Sequence, residues 1–199
     1  MRRLVVTLAA TFLAAPWAHA QINYNFLEAT IGANRVETVN EMTEDGAGAG
    51  FRASFEVMPH LHVFGSLQYA DFSDLDIQTT IGQIGVGTHY DFSATKSVFF
   101  NVGALSAEAE TTAGGVTSTF DDDGYGMSFG YREVNQTPLE FRLSVDYVNY
   151  NDSNESDTSV DISLQYEISQ RFKLLGGYQF GGDEDILRFG VRYYLNRSL

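Results

Sequence analysis

The chain has 199 residues, carries 26 acidic against 12 basic side chains for a formal charge of −14, and contains no cysteine. Such a negative field repels nucleic acid and favours cations. The missing thiols exclude a disulfide framework, a thiolate metal site and a cysteine nucleophile. The length fits one domain, whose stability must come from packing and backbone pairing.

At the N-terminus, Met1-Arg2-Arg3 precedes an apolar run from Leu4 to Ala15, and Ala18-His19-Ala20 forms a small-x-small cleavage site. That order is a secretory signal peptide over residues 1–20, since about a dozen apolar residues are too few to cross a bilayer as a helix. Its removal takes Arg2 and Arg3, leaving a mature charge near −16, and leaves His60, His62 and His89 as the histidines of residues 21–199.

Beyond residue 20, apolar and polar residues alternate almost throughout, with no convincing helical period. The segments 24–36, 47–57, 61–72, 77–91, 97–108, 123–134, 139–150, 158–168, 171–181 and 185–195 read as strands. Their faces are distinct. Phe51, Ala53, Phe55 and Val57 alternate with Arg52, Ser54 and Glu56; Val160, Ile162, Leu164 and Tyr166 alternate with Asp161, Ser163, Gln165 and Glu167. In 77–91 the apolar phase slips between Ile81 and Ile84, which predicts a bulge there.

The connections alternate between two kinds. Tight ones fall at Met58-Pro59-His60, 92–96, 135–138 and Ser169-Gln170; longer or acidic ones fall at 38–46, 73–76, 109–122, 151–157 and 182–184. Short turns on one side and longer loops on the other are what a transmembrane β-barrel requires, with both termini on the short-turn side and an even strand number. The stretches 36–51, 97–131, 143–170 and 174–187 hold every long loop and no lysine or arginine, so one end should be strongly negative. The expected fold is all-β: a closed antiparallel transmembrane barrel over residues 21–199, of ten strands, or eight if two segments are loops. Aromatic belts are expected from Phe92, Tyr131, Tyr166, Tyr193 and Tyr194 at one interface and Tyr69, Phe72, Tyr147, Tyr150, Tyr178 and Phe180 at the other.

The last strand, with polar Arg188, then Gly190, aromatic Tyr193 and apolar Leu195, is similar to the assembly signal of the small outer-membrane β-barrels of Gram-negative bacteria, the OmpA-like and OmpX-like group. Four more residues follow it here. The resemblance implies delivery to the outer membrane and insertion by the barrel-assembly machinery, with membrane lipid and lipopolysaccharide as surroundings. It does not choose a function, because this architecture hosts structural proteins, adhesins, pores and enzymes.

A barrel of this size has a narrow interior that side chains fill. The charged residues on the polar face are Glu28, Arg52, Glu56, Arg132, Glu140, Arg142, Asp146, Asp161, Glu167, Lys173, Arg188 and Arg192. They are expected to form a closed salt-bridge network, with Arg142, Arg188 and Arg192 neutralising lumen carboxylates. The expected role is structural, or surface interaction through the loops. A small cation-preferring pore is the alternative, and an outer-membrane hydrolase a further one. No residue is read as catalytic and no cofactor is expected; His89 and Asp91, two apart on one face, are the one base-and-orienter pair available. Asp152, Asn154, Ser156 and Asp157 begin like an EF-hand but lack its glycine and place Ser163 where a bidentate glutamate belongs. No dedicated metal site is therefore expected, only weak divalent cations at Asp121-Asp122-Asp123 and Asp183-Glu184-Asp185 that could bridge to lipopolysaccharide.

Overall fold

The structure, a computed structural model, describes residues 22–37, 43–135, 138–182 and 184–195. The signal segment and the last four residues lie outside them. Each alternating segment is a strand: β1 (Phe26–Glu37), β2 (Thr43–Met58), β3 (Leu61–Phe72), β4 (Ile77–Ser93), β5 (Lys96–Ala113), β6 (Val116–Val134), β7 (Leu139–Tyr150), β8 (Ser156–Glu167), β9 (Phe172–Phe180) and β10 (Glu184–Tyr194). Every strand pairs antiparallel with its sequence neighbours, and β1 closes on β10 from Phe26↔Tyr194 to Val36↔Glu184. The result is a closed ten-stranded barrel of the transmembrane type, and the eight-stranded alternative is excluded. Closure leaves no strand edge along the wall, so the backbone polar groups there are paired within the sheet.

The two faces are inverted relative to a soluble protein. Ile31, Phe51, Leu67, Ile84, Phe129, Val145, Leu164 and Phe189 point outward and are exposed, whereas Arg132, Glu140, Gln165, Lys173 and Arg192 are buried inside. A soluble sandwich would bury the first set. An apolar belt around a polar interior needs lipid as its solvent. The tight turns and the N-terminal segment share one end, here the turn end; the opposite end is the loop end.

Three details differ from the sequence-based expectation. Residues 109–122 are not a loop: β5 and β6 continue as a hairpin to a two-residue turn, Gly114-Gly115, flanked by the pair Ala113↔Val116. Both glycines have positive φ, 60° and 82°, which suits the twist of a two-residue hairpin. The bulge expected between Ile81 and Ile84 is absent, because β3 and β4 pair without interruption from Leu61↔Thr88 to Phe72↔Ile77. The apolar phase slips there simply because Ile81 faces the lumen and Ile84 the lipid. Irregularities in pairing occur instead beside turns, at Glu56/Met58 and Asp91/Ser93. Finally, Phe72, Tyr150 and Tyr194 are not belt residues, since strand parity turns all three inward; Phe72 and Tyr194 are buried and Tyr150 lines the lumen. The outward aromatics that remain cluster as Phe92 with Tyr131 and Phe172 with Tyr193 at the turn end, and Tyr178 with Phe180 at the loop end.

Val145 lies near the middle of β7 on the lipid-facing side. Val145→Arg should destabilise the protein in lipid vesicles by about 2–4 kcal/mol, the cost of a cation at the bilayer midplane, measured by denaturant unfolding.

Candidate functional site

The lumen is the candidate site, and its turn-end half is largely filled, keeping a cavity of about 30 Å³ beside Tyr24, His62, Arg132 and Arg142. Glu140 on β7 is 1% exposed; Arg132 on β6 donates to its Oε1 through Nε at 2.8 Å, and Lys173 on β9 donates to its Oε2 at 2.7 Å. The Tyr194 hydroxyl lies 3.4 Å from both Glu140 Oε2 and Gln165 Oε1. Arg192 on β10 donates through Nε to Glu28 Oε2 at 2.7 Å and places its guanidinium 4.0 Å from the centre of the Phe26 ring. Adjacent strands in register bring these groups together: Glu140 pairs with Gln165, Gln165 with Leu175, and Glu28 with Arg192.

The segment before β1 caps this half. Ile22 and Tyr24 are buried against Phe99 and Val134, and Arg132 donates to the Asn23 carbonyl at 3.2 Å. The Tyr24 hydroxyl bonds Ser97 Oγ at 2.9 Å, and its ring stacks on His89 at 3.9 Å and His62 at 4.9 Å between centroids. Room for the His62 ring comes from Gly87, where any Cβ would collide with that imidazole and with Asn101. The sequence reading did not assign this cap. Its signal was a change of phase: Ile22, Tyr24 and Phe26 put apolar side chains on the inward face, which from Glu28 onward is polar.

Toward the loop end the lumen opens into a vestibule of about 190 Å³. Its walls carry Glu28, Asp146, Asp157, Asp161 and Glu184 against Arg52, Arg142 and Arg188. Arg188 pairs with Asp161, and Asn34 donates to Glu184 at 2.6 Å. Arg142 does not neutralise a carboxylate as expected: it makes no ion pair among the described residues and lies over the Phe99 ring at 5.0 Å. Arg188 engages Asp161 through Oδ2, and Asp146 accepts from Ser144 at 3.0 Å, while Arg142 reaches neither carboxylate within ion-pair distance. Arg52 also lines the vestibule without an ion pair among the described residues. Glu56 belongs to the turn end, accepting from the His60 backbone N–H at 3.3 Å, and Glu167 stands in register with Lys173, whose ammonium goes to Glu140. Thus Glu28, Arg132, Glu140, Lys173 and Arg192 form the closed part of the network, Arg188 and Asp161 a separate pair, and the other residues named from the sequence only share the face. In the assembly-signal segment, Arg188, Gly190 and Arg192 face inward while Val191 and Tyr193 face lipid.

One family model matches residues 18–187. The chain belongs to that family, "Protein of unknown function, DUF481". No curated protein matches this DUF481 chain in sequence. Among solved structures it is similar to Neisserial surface protein A (NspA), at 11% identity and a TM-score of 0.52, covering 85% of this chain and 96% of that one. It is also similar to the NanC porin, at 11% identity and a TM-score of 0.50, covering 84% and 100%. At these identities the likeness is one of fold.

Removing one partner from a buried pair leaves the other charge uncompensated, at about 3–5 kcal/mol. Glu140→Gln in the DUF481 barrel should therefore lower stability by about that much. Arg142→Gln, which breaks no ion pair, should cost far less. Thermal melting of both variants in detergent checks the difference.

Proposed function

We propose that this DUF481 protein is an outer-membrane barrel with a structural or surface-interaction role, oriented with its tight turns and both termini toward the periplasm. The observation that carries this reading is the filled turn-end half of the lumen. Glu140, Gln165 and Arg192, each no more than 1% exposed, pack the lumen there, and the cavity between Tyr24, His62, Arg52 and Arg142 narrows to about 30 Å³. Fold likeness alone does not choose, since the similar structures include a surface protein and a porin. The charge network supports the closed reading, because moving any one member breaks a desolvated ion pair.

The contact element on the outer side is the β5–β6 hairpin. Its β6 residues Val116–Asp121 have no partner in β7, whose pairing starts at Gly124↔Tyr150, so the hairpin is free on that side while β5 stays paired with β4 as far as Thr111. Val116 and Phe120 are exposed there beside Asp121 and Asp123. Asp122 is turned the other way and accepts the backbone N–H groups of Asp152 and Ser153 at 3.0 Å each, which ties the β7–β8 loop to the hairpin base. The acidic tips suit divalent cations that bridge to lipopolysaccharide phosphates. The reading assigns no catalytic step to any residue.

A small cation-preferring pore is the second reading, favoured by the open vestibule with its acidic rim. Planar-bilayer recording separates the two. Folded wild-type protein should be silent, and the triple variant Tyr24→Ala, Arg132→Ala, Glu140→Ala should conduct. Steady ion-selective openings from the wild type would make it a pore.

A further inference from the structure

The tight turn between β2 and β3 and the end of β4 bring three donors together that the lumen network does not use. One ligand atom each from His60, His89 and Asp91 lies within 4.8 Å of the others. His89 N donates to the His60 carbonyl at 3.0 Å, so the backbone itself fixes the two histidines side by side, with ring centroids 5.2 Å apart. Glu56 on β2 comes from the third side, its Oε1 4.0 Å from His89 Nε2, while Asp91 Oδ2 is 3.6 Å from the same nitrogen. Both separations are too long for hydrogen bonds. The His89 side chain is only 4% exposed and its Nδ1 is buried with no hydrogen-bond partner. A structural lumen histidine would be bonded to one of these carboxylates; here both stand off from Nε2 by more than hydrogen-bond length.

We propose that His60, His89 and Asp91, with Glu56 as fourth donor, form a binding site for a borderline divalent cation of the zinc type. Two imidazole nitrogens and two carboxylate oxygens match that class, whereas calcium and magnesium take oxygen shells. Zinc bonds of about 2.0–2.1 Å put tetrahedral donors about 3.4 Å apart, so the cluster must contract by roughly 1 Å. The exposed side chains of His60 and Asp91 are free to supply that movement, while His89 is held in place by its stack on Tyr24. Bound metal would fasten the β2–β3 turn to β4 beside the ring on which the N-terminal cap rests. The site stands apart from the loop-end carboxylates and does not depend on whether the lumen conducts.

Untagged, folded barrel stripped with a chelator should be titrated with zinc chloride by calorimetry and followed by thermal melting. One ion per chain should bind and raise the melting temperature. His60→Gln and Asp91→Asn should each weaken zinc by about tenfold or more, as loss of a ligand does, without changing the metal-free melting point. Copper(II) as a spectroscopic probe should show two imidazole nitrogens in the wild type and one in His60→Gln. Because both substituted side chains are exposed, the outcome does not rest on His89→Gln folding. Absence of heat and of any melting shift overturns the site. So does undiminished, wild-type zinc affinity in both variants, which would place the ion elsewhere, as at the acidic loops.

Discussion

Glu140 lies between Arg132 and Lys173 with almost no exposure, and the closed end of the barrel depends on that carboxylate. A sheet that turns its apolar side chains to lipid has only polar ones left for its interior, and ten strands leave too little room for each to keep a hydration shell. At the turn end the charges therefore satisfy one another. Such a network adds little net stability over an apolar core of the same volume. Its effect is on arrangement: each guanidinium or ammonium is fixed on a particular carboxylate, and the alternatives cost several kcal/mol.

The asymmetry between the two halves follows from which strands meet where. At the turn end, β1, β6, β7, β9 and β10 each contribute a long charged side chain at nearly one height, and these meet across the lumen. At the loop end the inward positions include the short residues Thr30, Gly48, Gly50, Ser66 and Ser159, and a vestibule remains between the longer side chains. Net charge follows the same line, with basic residues gathered toward the turns and the acidic hairpin and loops opposite.

The strands and their faces were legible because period-2 alternation survives wherever one face meets a uniform solvent, lipid or water alike. What was not legible has physical causes. The distal β5–β6 hairpin is solvated on both faces, so its residues show no alternation, although Thr111, Thr117, Thr119 and Phe120 favour strands and Gly114-Gly115 marks the turn. Tyr194 and Phe72 read as belt aromatics because composition cannot say which face a ring takes; parity with Arg192 and Phe64 decides it. Arg142 was expected to pair because all lumen charges were treated alike, yet only strand register determines which carboxylate is already engaged. His89 and Asp91 were visible as neighbours two apart. The approach of His60 depends on the β2–β3 turn and β4 being adjacent in the sheet, which no local pattern reveals.

Two closures act in series at the turn end, and magnitudes rank them. The N-terminal cap is held by Tyr24, through its bond to Ser97, its stack on His89 and the Arg132 guanidinium 4.6 Å above its ring. Ring contacts and cation–π attraction of this kind are worth about 0.5–2 kcal/mol each. Separating a buried arginine from its carboxylate costs about 3–5 kcal/mol. Contact for contact the charged layer is the more strongly held, while the cap draws on several weaker contacts and on the burial of Ile22 and Tyr24. Arg132 belongs to both closures, donating to Glu140 and to the Asn23 carbonyl. Loss of the Arg132–Glu140 pair would therefore loosen the cap and the layer together, whereas loss of any other contact here touches one of them alone.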